Sequence, residues 1–251
     1  MSDNLRSGGS DSQEVQPLYV PIKRRSFFMY AGATAGATAL VLTGCSKDDD
    51  PSTNNGDTVN VGATGSNDLG VLNYAYALEQ LEAAFYTQLK TGSYYMGLSA
   101  NSAEKQILDD LQYHEVAHRE FFKAALGTSA IKNLEPEFGA IDFTARTGSG
   151  GRLGVLDAAK AFEDLGVAAY NGAGRFIRTA GNLVLAGKIV SVEARHAALI
   201  RDLVAEATFV DQDVVNISTN GLEKSKTPAE VVAIANTFLK AGSKLDVSGL
   251  V

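Results

Sequence analysis

The sequence is poor in the residues that most often build disulfides and metal sites. It has one cysteine, Cys45, and three histidines, His114, His118 and His196, in 251 residues. A single thiol excludes a disulfide within the chain, and any imidazole-based site must draw on a list of three. Basic residues are also scarce, 22 Lys and Arg against 29 Asp and Glu, for a net charge of −7. That balance excludes nucleic acid as a natural partner, because phosphate binding needs clustered cations. The hydrophobic share is 45%, so a chain of this length can build one core of ordinary size plus appendages.

The first 45 residues read as a targeting segment. "KRRSFF" sets Arg24 and Arg25 before an uncharged run from Phe27 to Gly44, which ends in L-T-G-C at Cys45. The pattern resembles a twin-arginine export signal fused to a lipobox, with Cys45 as the lipidated residue. Lys23 departs from it, standing where Ser or Thr is common. An uncleaved anchor is the alternative, since the run is marginally long enough to cross a bilayer. Both readings place the protein outside the cytoplasm, periplasm-facing or at the cell surface. Residues 46–68 are polar and rich in Gly and Asn, the composition of a flexible tether. "CSKDDD" also resembles the acidic tag of surface lipoproteins.

From residue 69 the pattern is helical, and few β-branched residues interrupt it. Leu72, Tyr76, Glu79, Ala83 and Tyr86 form one stripe. A second helix opens at Ser102, closes at Gly127 and carries Leu108, Leu111, Glu115, His118, Phe122 and Ala125. The spacing predicts a third helix over 155–180 and a fourth over 183–207 with Ile189, Glu193, His196, Ile200 and Leu203. T-P-A-E at 227–230 starts a short fifth helix with a capping Thr and Pro at the first helical position, presenting Val231, Ile234, Ala235 and Phe238. The expectation is an all-α four-helix bundle over 69–210, followed by a C-terminal extension, 211–251, that carries the fifth helix. The short link after the first helix makes the first two antiparallel. The long segment from Gly127 to Gly154 can cross the length of a bundle, giving two helical hairpins joined by one crossover.

"LQYHEVAHREFF" at 111–122 contains two metal motifs at once. H-E-V-A-H fits the zinc-hydrolase pattern, with His114 and His118 as ligands and Glu115 as base. E-V-A-H alone is a Glu and a His three residues apart. An internal repeat separates the two. Residues 72–86 align on 156–170, with Glu79 on Glu163 and Tyr86 on Tyr170; Glu115 aligns on Glu193 and His118 on His196. His114 aligns on Val192, so the doubled feature is E-x-x-H. The extended protease form, with a Gly and a third His downstream, is absent. Residues three apart lie about 60° apart around a helix, on one face. Two such helices, with one Glu from each of the other two, bring four carboxylates and two imidazoles to a bundle centre. Four carboxylates offset two divalent cations; without metal their joint burial would be very costly.

"LEQLEAAFY", "YHEVAH", "AFEDLGVAAY" and "VEARH" together resemble the ferritin-like superfamily, closest to the bacterial group that contains desiccation-related proteins, over about residues 69–240. The resemblance implies a dinuclear Fe or Mn site with Glu79, Glu115, His118, Glu163, Glu193 and His196 as ligands. It further implies Glu115 and Glu193 as bridges, with Glu79 and Glu163 terminal. Glu82 competes with Glu79 from an adjacent stripe, and the repeat favours Glu79 because Glu82 aligns on Gly166. Tyr86 and Tyr170 are candidates to hydrogen-bond the ligands, and His114 a flank residue that can support one. Fe or Mn sites of this kind use O2 or peroxide. Three functions therefore stand: a dimetal oxidase or ferroxidase, a metal-binding stress or desiccation-related protein without turnover, and a zinc hydrolase. The lipid tether and fifth helix work against a storage cage, while leaving room for a smaller homo-oligomer.

Overall fold

A computed structural model describes residues 58–62 and 67–250. The targeting segment 1–45 with Cys45, and the tether up to residue 57, lie outside the described residues. Four long helices dominate: α1 (Asn67–Leu89), α3 (Ala103–Leu126), α4 (Val155–Ala173) and α5 (Ala180–Val204). They pack as two hairpins, α1 with α3 and α4 with α5, as expected from the loop lengths. A one-turn helix, α2 (Ser93–Gly97), sits in the first link and has no periodic signature in the sequence.

The helix ends follow local chemistry. Ser102 Oγ accepts a hydrogen bond from Lys105 N (3.3 Å) at the start of α3, and Gly127 takes a positive φ of 54° at its end. The α4 helix stops at Ala173, short of the expected residue 180. The chain tightens into a 3-10 turn at Gly174–Phe176, and α5 begins at Ala180, earlier than expected. Asp68, at the start of α1, caps α5 from outside by accepting from Arg178 N, Thr179 N and Asn182 Nδ2. The short helix α6 (Pro228–Ala235) carries the Thr227–Glu230 capping box read from T-P-A-E. Its buried face is Val231, Val232 and Ala235, whereas Ile234 is exposed.

The crossover is pinned along α1 by two buried amides seven residues apart. Asn73 donates to Ser129 O (2.9 Å) and accepts from Ile131 N (2.8 Å). Gln80 accepts from Leu134 N (2.8 Å) and donates to Lys132 O (3.4 Å). These bonds tie the backbone of exposed and half-buried loop residues to the buried face of α1. Downstream, β2 (Ile141–Asp142) pairs in parallel with β3 (Leu153–Gly154).

Residues 58–60 lie within the stretch expected to be tether, yet they form strand β1 (Thr58–Asn60), paired in parallel with β4 (Lys244–Asp246). Val59, Val61, Leu245 and Leu250 are buried in the main core. Three residues carry too short an alternation to register as a strand, so the sequence pattern did not mark them. The crossover and the C-terminal extension also cover the bundle, with Phe85, Phe138, Phe143, Phe162 and Phe238 forming one edge-to-face and tilted aromatic cluster. Consequently α1 is buried on almost every face, not only along its stripe.

Gly172 shows how closely the extension approaches α4. A Cβ there would lie 1.7 Å from Lys226 O, just where Lys226 N donates to Ala168 O (3.0 Å). Gly172→Ala is therefore expected to lower the unfolding free energy by about 1–3 kcal/mol through overpacking, measured by urea denaturation. An unchanged midpoint would show that the extension is free to shift.

Candidate metal centre

The apolar stripes of the four long helices are each interrupted by acidic groups at mid-helix. Glu79 (α1), Glu115 (α3), Glu163 (α4) and Glu193 (α5) have no exposed surface, and His196 is 4% exposed. A helix side chain is fixed in direction by its backbone, so the packing of the two hairpins aims all four carboxylates at one volume. The E-x-x-H spacing brings His118 beside Glu115 and His196 beside Glu193.

The groups form two overlapping clusters. One contains Glu79, Glu115, Glu193 and His118; the other contains Glu163, Glu115, Glu193 and His196. Within each, the ligand-type atoms lie within 4.8 Å of one another. His118 Nδ1 is 2.8 Å from Glu193 Oε1, 3.4 Å from Glu79 Oε2 and 3.7 Å from Glu115 Oε2. His196 Nδ1 is 2.8 Å from Glu115 Oε1, 3.1 Å from Glu193 Oε2 and 3.5 Å from Glu163 Oε2. Glu115 and Glu193 thus each turn one oxygen to either cluster, while Glu79 and Glu163 each belong to one.

Most of these atoms face the two clusters without an aligned hydrogen bond to one another. Glu79 Oε2, both Glu115 oxygens, Glu163 Oε2, Glu193 Oε1 and His118 Nδ1 are buried with no aligned hydrogen-bond partner. Buried polar atoms are nearly always satisfied, so a set of orphans made entirely of carboxylate oxygens and an imidazole nitrogen fits cations held between them. The four carboxylates balance two divalent charges. The clusters are consistent with a metal site, and Glu and His alone do not define which metal.

The remaining oxygens of the two outer carboxylates are held by tyrosines in a reciprocal pattern. Tyr86 Oη, on α1, donates to Glu163 Oε1 on α4 (2.6 Å), and Tyr170 Oη, on α4, donates to Glu79 Oε1 on α1 (2.5 Å). Each tyrosine of the repeat therefore supports the other half's glutamate. Burial and then the adjacent carboxylate push both phenols well above their ordinary range, so they stay protonated donors.

Electrostatics inside the centre is strongly divided. Burial, then the charge of Glu193, pushes Glu115 up to about 8. Burial also raises Glu193, but His118 and His196 outweigh it and hold that carboxyl down at about 2. Burial disfavours the imidazolium of His196, yet Glu115, Glu163 and Glu193 hold it up to about 12, and His118 is likewise held well above its ordinary value. Burial raises Glu163.

Of the other sequence candidates, Glu82 is buried but belongs to neither cluster; it is Glu79 that meets Glu115, His118 and Glu193. Its Oε1 fills the space beside Gly166, 2.9 Å from where a Cβ would stand. Burial and the surrounding glutamates keep its carboxyl well above the ordinary range. His114 is exposed and stands outside both clusters. Its Nδ1 lies 2.8 Å from His196 Nε2. The zinc-hydrolase arrangement, which needs His114 and His118 on one ion, is not formed among the described residues. The His114–His196 contact had no sequence signal, because it joins α3 to α5 across the bundle.

Residues 67–206, more than half of the chain, match the family model described as a ferritin-like domain. A search of the curated proteins finds no match.

Two outcomes follow from this geometry. Tyr86→Phe leaves Glu163 Oε1 buried without its donor, so the metal-free protein should lose about 1–3 kcal/mol in thermal or denaturant unfolding; no loss would mean that water replaces the hydroxyl. The second concerns pH. Glu115 has a raised value, so its contribution to metal-free stability is present below about 4.5 and lost as pH rises through about 8. The histidines, also raised, contribute below about 6.5 and lose that contribution on further rise. Cations replace these protons. The gap in unfolding temperature between metal-loaded and metal-free protein should therefore widen from about pH 5 to about pH 8. A constant gap would contradict it.

Proposed function

The chain belongs to the ferritin-like domain family, and we propose that it holds two Fe or Mn ions in the bundle core and acts on O2 or peroxide as an oxidase or ferroxidase. The observation that carries this reading is the split use of Glu115 and Glu193, each with one oxygen in either cluster. Two shared carboxylates suit a pair of ions better than one. Glu79 and His118 would complete one position, Glu163 and His196 the other. The bound pair would supply the redox chemistry.

The chain's own residues set the conditions for that chemistry. Tyr86 and Tyr170 hold the outer glutamates by one oxygen each, leaving the second oxygen directed inward. Full burial of the four carboxylates keeps bulk water from competing for the centre and strengthens charge interactions there. His118 is the one member with appreciable exposure, 16% of its side chain, so the α3 side is where small reactants can approach.

We further infer that the protein is exported and lipid-anchored to the cell envelope. The support is Arg24–Arg25, the uncharged run and the L-T-G-C at Cys45, all outside the described residues. An oxygen- or peroxide-consuming centre in that compartment would suit protection against oxidative stress.

Purified mature protein loaded with Fe(II) or Mn(II) should hold about two ions per chain by elemental analysis, and Glu163→Ala should lower that by about one. No retained metal would overturn the reading. Oxygen uptake during Fe(II) oxidation tests turnover. Its absence, with two ions bound, would favour a metal-binding protein without turnover, as the resemblance to the desiccation-related group implies.

A further inference from the structure

The repeat is asymmetric at two positions beside the centre. Glu82 aligns on Gly166, and His114 aligns on Val192. Of these, His114 reaches a residue of the clusters by a direct polar contact. Its Nδ1 is 2.8 Å from Nε2 of His196, and the two rings meet edge to edge, with centroids 5.1 Å apart and planes at 23°. His196 meanwhile points Nδ1 the other way, toward Glu115, Glu193 and Glu163. His118 uses the same nitrogen toward its carboxylates, but Val192, at the place equivalent to His114, offers only an apolar side chain.

We propose that His114 is a positioning residue that makes the two metal positions unequal. It holds His196 in the tautomer with the proton on Nε2 and the lone pair on Nδ1, so the Glu163/His196 position binds its ion more tightly than the Glu79/His118 position. The inference rests on the dimetal reading given above.

The tautomer follows from the geometry. A ligand nitrogen must present a lone pair, so with Nδ1 facing the carboxylates the proton of His196 sits on Nε2. That N–H donates to His114 Nδ1, whose own proton is then on Nε2. A ligand imidazole that donates its outer N–H is fixed in rotation and made a better donor to metal, and loss of such a partner typically costs about 10–100-fold in affinity. Among the described residues His118 has no hydrogen-bonded partner of this kind on its outer nitrogen.

The test is Mn(II) titration of the full mature protein by calorimetry, with His114→Val, His114→Asn, His118→Ala and His196→Ala. Wild type should bind two ions in two unequal steps. His114→Val, which copies Val192, should weaken the tighter step by about 10–100-fold and leave the other unchanged. His114→Asn keeps an acceptor oxygen near the place of Nδ1 and should restore much of the loss. In the His196→Ala background, His114→Val should have no further effect; in the His118→Ala background it should keep its full effect. His114→Asn, which keeps an acceptor for His196 Nε2, should unfold like wild type without metal, which separates positioning from folding. Two ions bound identically by wild type and His114→Val would overturn this inference alone. No ions bound by wild type would instead overturn the dimetal reading.

Discussion

Four carboxylates with no exposed surface, brought together in the middle of a helical bundle, are the constraint on which the rest depends. Desolvating one ionised carboxylate is costly, and clustering four compounds it through mutual repulsion. The protein offsets this in three ways. Two histidines lie within reach of three glutamates each, two tyrosines donate to the outer pair, and the raised Glu115 and Glu163 can bind protons. Of the inward oxygens only Glu193 Oε2 has an aligned partner, His196 Nδ1 (3.1 Å), and the others remain buried without one. Cations held in the two clusters would relieve this conflict by neutralising charge between the orphans.

The tyrosines tie this electrostatic problem to the topology. Tyr86 and Tyr170 each cross between α1 and α4 to hold the other half's glutamate, so neither half of the repeat can complete its cluster alone. The shared Glu115 and Glu193 repeat that logic on α3 and α5. An approximate two-fold relation between the hairpins follows, and Glu82 and His114 are where it breaks beside the centre.

Burial of the centre requires that α1 be enclosed on nearly all sides, which four helices alone do not achieve. The crossover lies along α1 because Asn73 and Gln80 satisfy its backbone, and the aromatic cluster of Phe85, Phe138, Phe162 and Phe238 seals the adjoining face. The C-terminal extension closes against α4 at Gly172 and pairs its last strand with residues 58–60. These additions look peripheral to the site, yet they exclude the water that would weaken every interaction inside it.

Much of this was legible along the chain. Helical periodicity marked the four long helices, Ser102 and T-P-A-E marked two starts, and the doubled E-x-x-H with E-x6-Y brought out the six residues that the structure draws together, because a 3.6-residue period fixes which side chains share a face. It also favoured Glu79 over Glu82 through the repeat. Other features depended on contacts between segments far apart in the chain. The crossing of each tyrosine to the opposite glutamate, the pairing of residues 58–60 with 244–246, the capping of α5 by Asp68 and the bond from His114 to His196 all fall in this class. Periodicity reports a residue's direction relative to its own helix axis, whereas these features depend on how helices are rotated and spaced against each other, which only packing of the whole bundle determines.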